Sequence, residues 1–578
     1  MIRRGRGVAA LAVLSVLALA VPSAASAHAY LVRTVPSPSG VLGSSPPVVE
    51  LTFDEAVEPR FAIISVTDAG GHQVTTSAVS RSPSNPDTLV VPLRPHLPEG
   101  WYLIYWRAIS VDGHPVQGAF TFAVGPNAGP APQFVIPKLS QTATTPDLLA
   151  SRWAVFLTVM SAIGLFVFRV GVARPVARRF EAVNLWPSSV AFVVASVLGL
   201  LAIPIYLDVS TATFALRSVT DVASLVPLFR VTAFGRGFVD MELCFALFCI
   251  AGWIALWVDR PERERRSIAE IVATAGALLA GAAALVMPGA SGHAGQTSPA
   301  GLSLFLDWAH LVSGSLWIGG LIGLLVLTAA LPAARRVAGL AVAVPRFSNL
   351  AFVSVLVLLA SGTLATIIHL PIVAALWQTS YGQAILVKIG LLAAAMLIAA
   401  VNLLHTKPRL VAAREGDAAG EPAARLLRRV VGGEVVLVTA AIFAAAVLSS
   451  IAPPSSALAE ENSALTRVGP GRVATVVHKG SYALQVLISP NRAAVPNTFA
   501  VKITKGGKPL TGASVSLTFA MLDMQMANQE YQLTETKPGI YSRASPALVM
   551  VGHWGLSFNV TPQGGQPFTA LVADKAGG

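Results

Sequence analysis

The residues best equipped for metal chemistry are His28, Asp112 and His114. His28 follows Ala25-Ser26-Ala27, which closes a segment with a basic start at Arg3, Arg4 and Arg6 and an apolar run from Val8 to Val21. That is the pattern of a secretory signal peptide, residues 1–27, with an A-x-A cleavage site. Cleavage after Ala27 makes His28 the mature N-terminus. Its free amine and its ring Nδ1 can then chelate one ion together, which an internal histidine cannot do. In Ser110-Val111-Asp112-Gly113-His114 the Asp and the second His are two apart, so in extended chain they project to the same side. The combined set is an amine, two imidazoles and a carboxylate. Nitrogen and oxygen donors in a tetragonal plane favour Cu(II). The plainer account makes Asp112-Gly113 a turn, His114 a surface residue and His28 an accident of the cut.

A second group lies further on: Ser291-Gly292-His293, Asp307-Trp308-Ala309-His310 and His369. Each sits in or beside a long apolar stretch, where ionisable groups are costly and therefore informative. Asp307 and His310 are three apart and share a helix face. His293, Asp307, His310 and His369 are candidates for a membrane copper path; the alternative is a set of interfacial polar residues that fix helix ends. Lys388 reads as a side chain snorkelling outward. A third group is Met521, Met524, Met526, Met550 and His553. Thioethers with one imidazole suit Cu(I), and the competing account is a Met-lined core. Met160, Met287 and Met396, alone in apolar helices, read as packing.

The elements that must hold these residues follow from composition and periodicity. Of 578 residues, 54% are hydrophobic and only 12% are charged, against about 25% charged in soluble domains, so much of the chain belongs in lipid. Eight apolar stretches are long enough to cross a bilayer: Leu149–Val170, Pro187–Leu207, Met241–Val258, Ile268–Met287, Leu302–Leu331, Phe347–Leu370, Ala384–Leu404 and Val431–Ile451. The net charge of +12 collects largely in alternate short loops, around Arg174 to Arg179, Arg260 to Arg266, Arg335 to Arg346 and Lys407 to Arg429. This is the positive-inside pattern; it excludes a nucleic-acid reading and puts both chain ends outside the cytoplasmic membrane. The stretch from Asp208 to Asp240 breaks the pattern with Arg217, Arg230 and Arg236, as an outer-surface fold or a re-entrant segment. The only cysteines, Cys244 and Cys249, lie in an apolar stretch and read as buried thiols, with no disulfide framework.

Ahead of the apolar stretches, short alternating runs predict strands at Val48–Phe53, Ala62–Thr67, Thr88–Leu93, Trp101–Ile109 and Ala119–Val124. They make a small β-sandwich or barrel over residues 28–126. Residues 127–147 are Pro-rich and read as a linker. After the apolar region of residues 148–453, residues 455–578 predict a second β-sandwich, with strands at Ala474–Ile488, Thr498–Ile503, Ala513–Phe519, Tyr531–Thr534, Gly539–Ser542 and Trp554–Asn559.

Three resemblances follow from these stretches. "HAYLVRTVPSPSGVL", "VELTFDEAV" and "YWRAISVDGHPVQGAFTFAVG" resemble the periplasmic copper-binding CopC family along the whole first domain. That resemblance implies His28, Asp112 and His114 as Cu(II) ligands and leaves His72 and His96 as loop residues. "SGHAG", "DWAHLVSGSLWIGGL", "PRFSNLAFVSVLVLLASGTL" and "TSYGQAILVKIGLLAAAMLIAAVN" resemble CopD, the membrane partner of CopC. The last domain is similar to YtkA-like domains, with their Met-rich strand and later His. Together they imply a multidomain, multi-pass protein of the cytoplasmic membrane that binds copper outside and transports it, inward by expectation. The expected partners are copper ions, the lipid bilayer and periplasmic copper chaperones, with no nucleic acid. Cu(II) is expected in the first domain and Cu(I) in the other two. No residue is assigned a catalytic role, and the chain has no GxxxxGK[ST] loop for ATP. The rival readings are extracytoplasmic copper sequestration for tolerance, a histidine-brace copper oxidase, and a haem-binding electron carrier.

Overall fold

Alternating burial builds a two-sheet sandwich at the start of the computed structural model. The structure describes residues 31–37, 40–53, 57, 59–109, 115–128, 145–180, 183–215, 217–229, 233–263, 265–292, 294, 299–370, 373, 375–378, 380–413, 420–450, 466–493, 495–522, 529–549 and 551–577. The first eight strands are β1 (Leu31–Val35), β2 (Val41–Leu42), β3 (Val48–Phe53), β4 (Ile63–Asp68), β5 (Ser80–Arg81), β6 (Thr88–Pro92), β7 (Gly100–Ile109) and β8 (Pro115–Val124). One sheet has the order β1-β3-β6-β5 and the other β2-β8-β7-β4. In β3, Val49, Leu51 and Phe53 face the core while Val48, Glu50 and Thr52 are half-buried on the other side, the period of two that predicted the strand. Trp106 fills the centre. It packs edge-on to Phe53 at 5.6 Å and lies so close to Gly118 that an added Cβ there would stand 2.7 Å from its ring. Asp68 closes the tight turn after β4 by accepting from the backbone N–H groups of Gly70 and His72.

The middle of the chain is helical. We number α1 (Pro146–Phe168), α2 (Trp186–Ala215), α3 (Val222–Phe229), α4 (Ala233–Val258), α5 (Ile268–Ala284), α6 (Ala300–Ala330), α7 (Ala333–His369), α8 (Ser380–Val401) and α9 (Gly420–Leu448). Among the described residues eight helices are long and apolar enough to cross a membrane, one for each predicted stretch. The stretch from Asp208 to Asp240 is shorter as a connection than expected, because α2 runs on to Ala215 and the single short helix α3 precedes α4. Helix α1 leaves regular geometry in a π-helical turn at Arg169–Ala173, and α8 does so at Asn402–Thr406.

Small residues set the helix packing. A Cβ on Gly164 of α1 would collide with the backbone of Ser315 and Gly319 in α6, and one on Gly320 would strike the Phe347 ring of α7. The Trp317-Ile318-Gly319-Gly320 run is therefore a close-approach surface, with Trp317 buried in the core beneath it. Met160 packs against Gly314, and Met396 lines the same core. Both cysteines are free, and Cys249 is fully buried.

The last region holds β9 (Thr466–Val468), β10 (Val473–Lys479), β11 (Tyr482–Ser489), β12 (Asn497–Lys505), β13 (Lys508–Pro509), β14 (Ser514–Met521), β15 (Gln529–Lys537), β16 (Ile540–Ser545), β17 (Gly552–Thr561) and β18 (Phe568–Ala576). They form one sheet in the order β10-β11-β12-β16-β15-β14-β17-β18-β9, with β13 paired to β12. The predicted single strand Ala474–Ile488 is instead a hairpin, turned at Gly480, whose φ of +58° suits glycine.

The chain divides into two compact units, one of helices and one containing both β regions. Within the β unit one apolar core is continuous from the first sandwich, through residues such as Trp106 and Phe120, to the last, through Leu548 and Trp554. The Ala119 N–H of β8 donates to the Val549 carbonyl at 2.8 Å. β8 is an open edge there, since β2 pairs with it only at Ala123 and Val124.

Candidate metal centres

His28, Asp112 and His114 lie outside the described residues, and so do His293, Met524, Met526 and Met550. The strands that carry the first three are described. β7 and β8 pair from Gly100↔Val124 to Ile109↔Pro115, so Asp112 and His114 belong to the five-residue connection of this hairpin. β1 begins three residues after His28, and its first residue, Leu31, pairs with Phe53. Phe53 touches Trp106, three residues before Ile109. The start of β1 and the end of β7 thus lie toward the same end of the sandwich, in opposite sheets. Next to this end, Arg107 is fully buried in β7, and burial pulls its guanidinium below its ordinary value while Tyr105 opposes the shift.

In the helical unit α6 carries Asp307 and His310 on one face, as predicted. His310 Nδ1 lies 3.1 Å from Ser361 Oγ of α7, and Lys388 Nζ of α8 lies 3.3 Å from His310 Nε2. Three helices therefore meet at one imidazole. Gly362 leaves room for the ring; a Cβ there would stand 3.1 Å from His310 Cε1. Asp307 packs against the turn Met287–Ala290 after α5, where a Cβ on Gly289 would come to 2.5 Å from its Oδ2. Trp308 pins α6 to α5 through Nε1 and the Ala282 carbonyl at 3.0 Å. His369, at the end of α7, sits with Nδ1 2.8 Å from the Ala365 carbonyl. Among the described residues no three His, Cys, Asp or Glu side chains converge as a metal centre. Asp307 and His310 come together, and Lys388, read from sequence as snorkelling, joins them instead.

A second charged cluster lies at the opposite end of α5. Asp259, just past α4, accepts from Arg174 Nε at 2.7 Å and pairs with Arg169 at 3.0 Å. Glu270, in the first turn of α5, pairs with Arg174 at 3.4 Å and Arg266 at 3.3 Å. Arg169, Arg174, Asp259 and Glu270 are all buried. Sequence reading treated Arg174 and Arg266 as loop charges. The signal for their pairing was the acidic residues Asp259 and Glu270, which bracket this Arg-rich connection.

In the last β region Met521 pairs directly with Trp554, and both are buried. Residues opposite one another share a face, so Met521 belongs to the core and His553, one residue before Trp554 and exposed, faces away from it. His72, His96 and His478 are exposed, as loop and surface residues should be.

Known proteins match these regions separately. The CopC domain model matches residues 31–125, that of copper resistance protein D residues 341–448, and the YtkA-like model residues 478–558. The copper resistance protein D match takes in Ser361, His369 and Lys388 and begins after Asp307 and His310. Among curated relatives, copper transport protein CutJ of Bacillus subtilis is 29% identical over 396 residues, 67% of this chain and 69% of that protein. Copper resistance protein C of Escherichia coli is 32% identical over 114 residues, 19% of this chain and 90% of that protein. The crystal structure of CopC from Methylosinus trichosporium OB3b is 33% identical, covers 18% of this chain and 98% of its own, and has a TM-score of 0.16.

Proposed function

The chain belongs to the CopC copper resistance family and joins CopC, CopD and YtkA-like domains in one copper-binding and transport polypeptide; from that premise we propose that it captures Cu(II) outside the cytoplasmic membrane and imports copper. The capture ligands are His28, Asp112 and His114. The observation that carries this assignment is the convergence of β1 and the β7–β8 hairpin at one end of the sandwich, through Leu31↔Phe53 and the Phe53–Trp106 contact. The N-terminal amine, two imidazoles and one carboxylate then make a nitrogen and oxygen plane suited to Cu(II).

Copper leaves this site for the helices, where Asp307 and His310 offer a carboxylate and an imidazole on one face of α6. His293 and His369 complete the proposed path. The polypeptide is multi-pass, with both β regions on the extracytoplasmic side, and periplasmic copper chaperones are its proposed donors. A valence change to Cu(I) on the way would engage Met521, Met524, Met526, Met550 and His553 of the last region. The chain has no assigned catalytic residue. A histidine-brace oxidase would consume oxygen when supplied with copper and reductant; a transporter would not.

The test is electron paramagnetic resonance of the processed full chain loaded with one Cu(II). We expect a tetragonal signal that is lost when one extra residue precedes His28. Persistence of the same signal in the extended chain would overturn the ligand set. Direction is read in cells: deletion lowers cytoplasmic copper if the chain imports, and raises it if the chain sequesters.

A further inference from the structure

The hydrogen-bond order around His310 fixes which of its nitrogens is free to bind a cation. Ser361 has one hydroxyl proton, and it is committed to the carbonyls one turn back, Val357 at 2.7 Å and Leu358 at 3.3 Å. Ser361 Oγ therefore accepts from His310 Nδ1–H. The lone pair of the imidazole is then on Nε2, and Nε2 points at Lys388 Nζ, 3.3 Å away. An ammonium has three donors and no acceptor, so Lys388 donates and His310 accepts. The position where a metal ion would bind His310 is taken by a positive charge that belongs to the protein.

Asp307 lies one turn earlier on the same face of α6, and the Lys388 amine at Nε2 holds the place of a monovalent cation. In apolar surroundings a second uncompensated positive charge is costly. Copper cannot add to His310 while Lys388 remains there. The lysine side chain has four flexible bonds, and the Asp307 carboxylate, one turn earlier on the same face of α6, gives the displaced ammonium somewhere to go.

We infer that Lys388 is a tethered surrogate for the cargo, occupying His310 Nε2 between copper ions and yielding it when an ion arrives. This rests on the proposed copper path through His310. Lys388 is thus a positioning residue that lowers the resting affinity of the site.

The experiment measures Cu(I) affinity of the full chain in lipid nanodiscs against a colorimetric Cu(I) chelator. Wild type is compared with Lys388→Leu, Lys388→Arg, His310→Ala and the Lys388→Leu/His310→Ala double variant. The component that His310→Ala removes defines the site. Lys388→Leu, which removes the charge and adds no ligand atom, is expected to tighten that component by about tenfold or more, since apparent affinity rises in proportion to the fraction of sites made competent. Lys388→Arg, which keeps the charge, is expected to leave it weak, and the double variant to match His310→Ala. Should Lys388→Leu fail to fold, Lys388→Gln removes the charge at nearly the same length and carries the same expectation. An unchanged or weakened His310-dependent component in the uncharged variants overturns the surrogate while leaving His310 a ligand. Full copper binding in His310→Ala overturns the path itself, and the surrogate with it.

Discussion

The two charged clusters of the helical unit sit at opposite ends of α5 and are built on opposite plans. At the Arg174 end two acidic groups are shared among three arginines, and Asp259 alone bridges Arg169 and Arg174. Every member has an opposite charge within salt-bridge distance, and the backbone is locked as well, since Arg266 also donates to the Val170 carbonyl. At the Lys388 end one ammonium donates to a neutral imidazole. A multiply shared network resists the loss of water; a single cation on a neutral ring can be exchanged for another cation. The bundle therefore keeps its charges still at one end and replaceable at the other.

Breaking the rigid cluster should have the largest consequence. Asp259→Ala leaves two buried guanidinium groups without their common counter-ion, and removing one partner of a buried pair costs about 3–5 kcal/mol. Loss of folded protein and a lowered thermal midpoint in detergent should report it, and a midpoint like that of the wild type would dissolve the contrast. A buried carboxylate in the β unit offers an intermediate case. Asp574 is buried and accepts from Asn491 Nδ2 at 2.8 Å, and burial raises its carboxyl to about 6 despite the amide and the nearby His553. The folded state then holds the proton more tightly than the unfolded chain does. Stability is highest below the unfolded value near 4 and declines as pH climbs toward 6. Asp574→Asn should remove that decline and stabilise the protein by about 1–3 kcal/mol at pH 7, read from melts between pH 4 and 7. A wild-type midpoint flat across that range would contradict it. The smallest effect belongs to the exchangeable cluster. Gly289→Ala sets a methyl group against Asp307 Oδ2 and should slow copper uptake by vesicles about fivefold, roughly 1 kcal/mol, with the melting midpoint unmoved. If it unfolds the protein instead, the Lys388 cluster is as rigid as the Arg174 cluster.

Much of this was readable in one dimension, because alternation and apolar runs are local properties. The five predicted strands of the first sandwich and the eight spans all appear, with β8 starting at Pro115 rather than Ala119. Short partners such as β2 and β5 were invisible, since two residues carry no period. The hairpin β10–β11 read as one strand because its turn is only Gly480 and its neighbours. The sites were harder to read than the elements. His310 and Asp307 stood out by type, yet the partner of His310 is 78 residues away on another helix, and no spacing rule connects them. Arg174 and Asp259 are 85 residues apart for the same reason. Met521 and His553 shared a chemical theme, and only the register of β14 against β17 shows that they face opposite ways.

The bond from Ala119 to Val549 also counts membrane crossings. It joins a strand that comes before the eight membrane-length helices of the described residues to a segment that comes after them, and the two share one apolar interior. Partners in a common interior must lie in the same aqueous compartment. The polypeptide between them has to return to the compartment it left, which only an even number of traverses permits. Adding or deleting a single span would break that interior as surely as a charge placed within it.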